Sequence, residues 1–367
     1  RGGPSGQLRP LQAALLQHPD DLDRALLFAR AAIDAGRAEQ DPRDFGYAES
    51  ALAPWWHRAD APDRVVLLRA VIEQWRHDFN GAARDLDLLI GRDSDESVQA
   101  HLQRAALHLV AGEPLPALRD CVALIGHTDL LGASTCIANA NGLRGRAQPS
   151  LDSLVAVLPQ SADAAPAVRL WALTSCAEMA ERLGRDAQAA ALYEQALAMM
   201  DAAATPDPYL LASAADFMLR HDDAQQVAAR LAPLERIDNL LLRLALAESA
   251  LAQRGDSAMA RRLSLHLRML GERFAEARQR QDASVHLREE AWYELELLHH
   301  PDLALALARR NWQAQREPLD ARILLQAALA ARQADAAEPV RQWMRDTGIE
   351  DVQLQALARR LDGTAAP

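Results

Sequence analysis

Apolar residues recur three and four positions apart along almost the whole chain, in bursts broken by Gly, Pro or Asp. In "WALTSCAEMAERLGRDAQAAALYEQALAM", Trp171 to Met199, two such bursts flank a Gly-Arg turn. The spacing predicts two amphipathic helices, each too short to bury its apolar stripe alone. Ala189, Tyr193 and Ala196 place small, large and small side chains on one face of the second helix, and Gly184 ends the first.

The unit recurs. "LLRAVIEQWRHDFNGAARDLDLLIG" from Leu67 aligns without a gap on "LQRAALHLVAGEPLPALRDCVALIG" from Leu102, a spacing of 35. Arg69-Ala70 lies over Arg104-Ala105, Arg84-Asp85 over Arg119-Asp120, and Leu89-Ile90-Gly91 over Leu124-Ile125-Gly126. A period of that length with two helices per unit predicts an all-α solenoid, because each unit covers the stripe of the one before. An ordinary helical bundle has no reason to repeat at a fixed period. The clearest units span 63–96, 98–130 and 170–202. Fainter ones lie at 20–58, 131–162, 207–238, 239–270, 285–318 and 319–345, giving about nine in all. Asp207-Pro208, and Asp20 after Pro19, read as helix starts. Residues 1–18 read as a flexible tail, 19–345 as the repeat array, and 346–367 as a capping helix (Gln353 to Leu361) and tail.

Composition narrows the function. All 40 basic residues are arginine, so neither a Walker-type phosphate loop nor a Schiff-base lysine exists in the chain. A net charge of −11 argues against nucleic acid as a partner. No apolar run approaches bilayer-spanning length. The three cysteines form no CxxC pair. No HExxH or HxH occurs, His299-His300 precede a proline turn, and His101 with His108 lack a third ligand, so no metal site or cofactor is expected. No short motif assembles a nucleophile with its base, and the chain does not read as an enzyme.

The Ala-Tyr-Ala face after Gly184 resembles the second helix of a tetratricopeptide repeat. That resemblance implies a right-handed superhelix in which the first helices line a concave groove that takes peptides or protein segments. Further segments, "GRAEQDPRDFGYAESALAPWW", "YLLASAADFMLRHDDAQQV" and "HLREEAWYELELLHHPDLALALARRNWQAQREPLDARILLQAALAA", are similar to a group of uncharacterised tetratricopeptide proteins from proteobacteria. The similarity runs from about Asp20 to Ala331 and departs at His221-Asp222, where a glycine usually closes the turn. Members of that group begin with an export signal, which implies a periplasmic or secreted chain and suits a start at Arg1. A cytoplasmic setting is the alternative. Cys121 and Cys136 fall on facing helices and are either buried small hydrophobes or a disulfide; an exported family implies the disulfide. Cys176 reads as an inert core residue.

Groove-facing positions at i, i+3 and i+7 of the first helices select Trp171, Thr174 and Glu178, then Tyr209 and Asp216, then His286, Glu289 and Tyr293. Aromatic groups beside carboxylates would prefer a basic or amphipathic protein or peptide segment. The same residues also suit the ordinary faces of amphipathic helices. Trp55-Trp56 and Trp75 read either as a second contact patch or as core. Arg309, Arg310, Arg316 and Arg322, mixed with Glu317 and Asp320 around Pro318, read as a solvated helix junction laced with ion pairs. A non-catalytic protein- or peptide-binding module is therefore expected. The alternative is a structural scaffold for a cell-envelope complex, or self-association, through the outer face.

Overall fold

A computed structural model describes residues 8–203, 206–279 and 286–364. Among them are α-helices and short 3-10 turns but no strand. The helices are α1 (Leu8–Gln17), α2 (Leu22–Glu39), α3 (Pro42–Trp56), α4 (Asp63–Trp75), α5 (Phe79–Gly91), α6 (Ser97–Val110) and α7 (Pro114–Ala123). Then follow α8 (Leu130–Gly142), α9 (Ala147–Val157), α10 (Pro166–Arg182), α11 (Asp186–Ala203), α12 (Pro208–Arg220), α13 (Ala224–Leu231) and α14 (Asp238–Gln253). The last are α15 (Ser257–Gln279), α16 (Leu287–Glu296), α17 (Pro301–Asn311), α18 (Pro318–Ala330), α19 (Glu338–Thr347) and α20 (Val352–Thr364). Sequence neighbours pack side by side, as in α2 with α3, α4 with α5, α10 with α11, and α16 with α17. None of these helices is long and apolar enough to cross a membrane.

Local chemistry sets the breaks. Aspartates cap α2, α5, α8 and α13 by accepting from the backbone N–H of Arg24, Gly81, Gly132 and Gln226. Proline opens α3, α7, α10, α17, α18 and α19 in their first turns, where no backbone donor is needed. Within the successive helix pairs, one turn residue has a left-handed backbone: Gln40, His77, Gly112, Gly145, Gly184, Asp222, Gly255, His299 and Arg332, with φ between 53° and 97°. The turn at His221-Asp222 thus closes without glycine, through Asp222 at φ 65°.

The chain divides into two compact units, residues 1–107 with 206–208, and 108–205 with 209–367. Unit 1 holds two apolar clusters. One is centred on Phe28, Phe45, Leu52 and Ile72, the other on Val66, Leu86 and Leu89. Helix α1 belongs to the first cluster, because Leu8, Leu11 and Leu15 pack on it. The span read from sequence as a flexible tail is thus helical from Leu8 to Gln17, while residues 1–7 lie outside the described residues. Trp55, Trp56 and Trp75 also join this cluster, and Trp75 stacks on Phe45 at 4.1 Å between ring centroids, so their role is core packing.

Unit 2 has a single continuous core from Leu131 to Leu361. Its end packs on its beginning. Arg316 N donates to Val110 O at 2.7 Å, and Trp343 Nε1 donates to Gly112 O at 3.1 Å. Ala147 N donates to Glu350 at 2.6 Å, and Gln353 donates to Glu181 at 3.2 Å. The segment from Trp343 to Gln353 therefore runs across three successive turns, at Gly112, Gly145 and Gly184. Two of these glycines have no substitute: a Cβ on Gly112 would meet Arg316 Cβ at 2.7 Å, and one on Gly145 would meet Gly348 O at 2.7 Å. Helix α20 then buries Leu354, Leu357 and Leu361 in the same core.

Candidate functional site

Side chains of α10, α12, α14, α16 and α18 of unit 2 contact one another in turn, helix to helix. Tyr193 is sealed there, 1% exposed, its hydroxyl 2.8 Å from Ser213 Oγ, while Ser213 donates to Glu178 at 2.8 Å. Tyr209, one helical turn before Ser213, hydrogen-bonds the same carboxylate. Deeper along α12, Arg220 pairs with Glu181, and the Asp216 carboxylate receives two hydrogen bonds from Arg243, each 2.8 Å. Arg243 and Arg322 both lie over the indole of Trp292, with the guanidinium carbons 5.0 and 5.5 Å from the ring centroid. Near the start of α18, Arg288 joins Asp320 (2.6 Å) and Glu317.

Burial pushes the Glu178 carboxyl above its ordinary range, against hydrogen bonds from Tyr209 and Ser213 that favour the carboxylate. Burial, then the nearby Glu178 and Glu317 carboxylates, also hold the Tyr209 phenol well above its usual range. Tyr209 is nevertheless 60% exposed. Glu178, Arg288 and Arg322 share this combination: protein surrounds them, yet each keeps accessible surface. Such side chains lie among neighbouring helices and still keep a solvent-facing side. From Tyr209 to Asp216 this row of side chains spans about 10 Å along α12, at roughly 1.5 Å per residue.

The residues selected from sequence fall into two sets. Tyr209 is open, and Trp171, Glu178, His286 and Glu289 are half-buried. Thr174, Asp216 and Tyr293 are buried and engaged elsewhere. Thr174 donates to Leu170 O at 2.9 Å, Asp216 holds Arg243, and Tyr293 donates to Leu267 O at 3.0 Å while packing on Phe274. Tyr293 is thus a core residue and not a groove residue. Helix α16 starts at Leu287, so its inward aromatic is Trp292, one position away. The segment around Pro318 is also placed differently from the sequence reading. Arg309 and Arg310 are exposed as read, but Asp320 is buried in an ion pair and Arg322 lies half-buried on Trp292, so the junction is solvated only in part. Burial, then repulsion from Arg220, draws Arg322 down to about 10.

Cys121 on α7 and Cys136 on α8 are both buried and joined by a disulfide, with Cα atoms 5.3 Å apart. Cys176 is a free thiol in the core, pushed up to about 12 by burial. The chain matches no protein-family model and no curated protein.

Proposed function

We propose that this chain is a non-catalytic binding module of the tetratricopeptide type, a right-handed superhelix of about nine repeats that takes a basic or amphipathic protein or peptide segment on its inner face. The observation that carries the reading is Tyr209, an accessible aromatic within unit 2 that bonds Glu178 and feels the field of Glu317. A ring with a polar handle beside carboxylates suits a lysine or arginine side chain, through cation–π contact and charge together. The disulfide supports a periplasmic or secreted setting, where such bonds persist.

A second reading, assembly or self-association through the outer face, draws support from Leu115 and Val122 on α7, Ile125 in the turn after it, and Leu130, all at least half exposed. The two readings separate in one experiment. A fluorescent peptide rich in arginine and leucine is titrated into the protein, with an acidic peptide of equal length as control. The expected outcome is saturable binding of the basic peptide alone, weakened about tenfold or more by Tyr209→Ala with Glu178→Gln. Unchanged affinity in that variant would sink the inner-face reading, and a stable oligomer in sedimentation would favour assembly.

A further inference from the structure

Arginine cannot shed its proton in a protein, so a guanidinium withdrawn from water needs an acceptor. Unit 2 meets that need repeatedly: Arg220 has Glu181, Arg243 has Asp216, and Arg288 has Glu317 and Asp320. Arg322 departs from this, as does half-buried Arg182, whose Nε has no acceptor. Among the described residues Arg322 makes one long hydrogen bond, 3.5 Å to the side-chain oxygen of Gln353, and rests on the Trp292 ring. Among the described residues, no carboxylate oxygen lies within ion-pairing distance of it.

The carboxylates around it are already engaged. Glu181 accepts from Arg220 and Gln353, Asp216 from Arg243, and Asp351 from the backbone N–H groups that open α20. Glu296 contributes only a longer-range field, and burial raises its carboxyl toward the neutral form. Beside Arg322, the Nε–H of Arg220 is sealed from solvent and has no acceptor. Arg322 thus brings unmatched donors to the side of the Trp292 ring, which holds it flat, while Arg220, its Nε sealed, adds positive charge nearby. A planar fork of donors in a desolvated site is matched by a planar or tetrahedral oxyanion, and the geometry gives it two-point contact.

We infer that Arg322, seated on Trp292 and assisted by Arg220 and Gln353, forms a binding site for a single oxyanion, the carboxylate or phosphate group of a small solute or of a bound segment. This rests on the binding reading above and adds to it. The row of side chains then carries an anionic, aromatic end at Tyr209 and a cationic end at Arg322, suited to a ligand with both charges.

The test is titration calorimetry of the full chain with sodium acetate and with sodium phosphate, ionic strength held constant with chloride. Saturable heat with acetate alone identifies a carboxylate guest, and with phosphate alone a phosphoryl guest. Arg322→Gln is expected to abolish that binding while circular dichroism stays unchanged. Arg322→Lys, which keeps a cation on the ring but loses the fork, is expected to weaken it about tenfold and decides the matter if the glutamine variant fails to fold. Absence of saturable binding to the native chain, or equal binding by the variant that folds, would overturn the site. The basic-peptide titration is run on the same Arg322 variants. Retained peptide binding without anion binding by the native chain removes the anion site alone, whereas loss of peptide binding to the native chain removes the wider reading.

Discussion

Asp44 in unit 1 and Asp216 in unit 2 are nearly equal in exposure, 4% and 8%, yet their charges are managed in opposite ways. Asp216 faces Arg243 through two hydrogen bonds. Asp44 lies just beneath the surface with Oδ2 sealed and without a partner, and burial, aided by Asp41 and Glu39, pushes it up to about 6. Glu73 in unit 1 is similar, with an unpartnered Oε2 and a carboxyl pushed up to about 7 by burial and by Asp85. Unit 1 is not without buried pairs, since Arg69 holds Asp85 at 2.5 Å. A carboxyl group has two routes to neutrality, a partner or a proton, whereas arginine has only the first. Unit 1 uses both routes. Unit 2 uses both as well, since burial raises Glu178 and Glu296, and Arg322 stands there without the carboxylate that Arg243 has.

The contrast breaks most visibly at Asp216. Asp216→Ala leaves Arg243 charged and enclosed, and is expected to cost about 3–5 kcal/mol in denaturant unfolding. Replacing both residues by leucine and methionine should restore most of that loss, because an apolar pair leaves no stranded charge. A small loss in the single variant would show that water reaches Arg243.

A covalent tie sharpens the comparison next, since every cysteine of the chain lies in unit 2. The Cys121–Cys136 bond closes a span of 15 residues, and its removal by Cys121→Ala with Cys136→Ala should cost about 3 kcal/mol. Hydrogen exchange should rise in α7 and α8 and stay unchanged in α1 to α5. Protein unfolded and alkylated without reductant should take up a single alkyl group, at Cys176. Three alkyl groups would mean that the bond does not form in the cell.

The smallest effect concerns Asp44. Its folded value of about 6 lies above the ordinary 3.8, so the folded chain holds the proton more tightly than the unfolded one. Stability from this group is therefore full below about pH 4, falls as pH rises through about 6, and stays low above. Asp44→Asn should raise stability by about 1–2 kcal/mol near pH 8 and by almost nothing near pH 4. The same pH dependence with and without the substitution would mean that Asp44 is better solvated than its burial indicates.

What the sequence discloses follows from which interactions are local. Turn residues show this well: glycine at 112, 145, 184 and 255 punctuates the chain visibly, while Gln40, His77, Asp222, His299 and Arg332 adopt the same left-handed backbone unannounced. The paired helices at 63–96 and 98–130 stand out through a gapless match, whereas α1 hides behind a glycine- and proline-rich start although Leu8, Leu11 and Leu15 already form a stripe. A slip of one residue rotates a helix by about 100°, which separates core Tyr293 from inward Trp292. Arg322 could not have been singled out at all. Nothing in an arginine-rich segment beside a proline tells which guanidinium the distant helices α10 and α12 will enclose.

The crossing of the C-terminal segment over the turns at Gly112 and Gly145 has a consequence for synthesis. Trp343 and Gly112 are 231 residues apart, and Glu350 and Ala147 are 203 apart. Ribosomes emit chain at roughly 5–20 residues per second, so the helices around these turns wait about ten seconds or longer for their final neighbours. During that interval the nascent unit shows its unfinished edge to chaperones, and a chain released before Trp343 would never complete it.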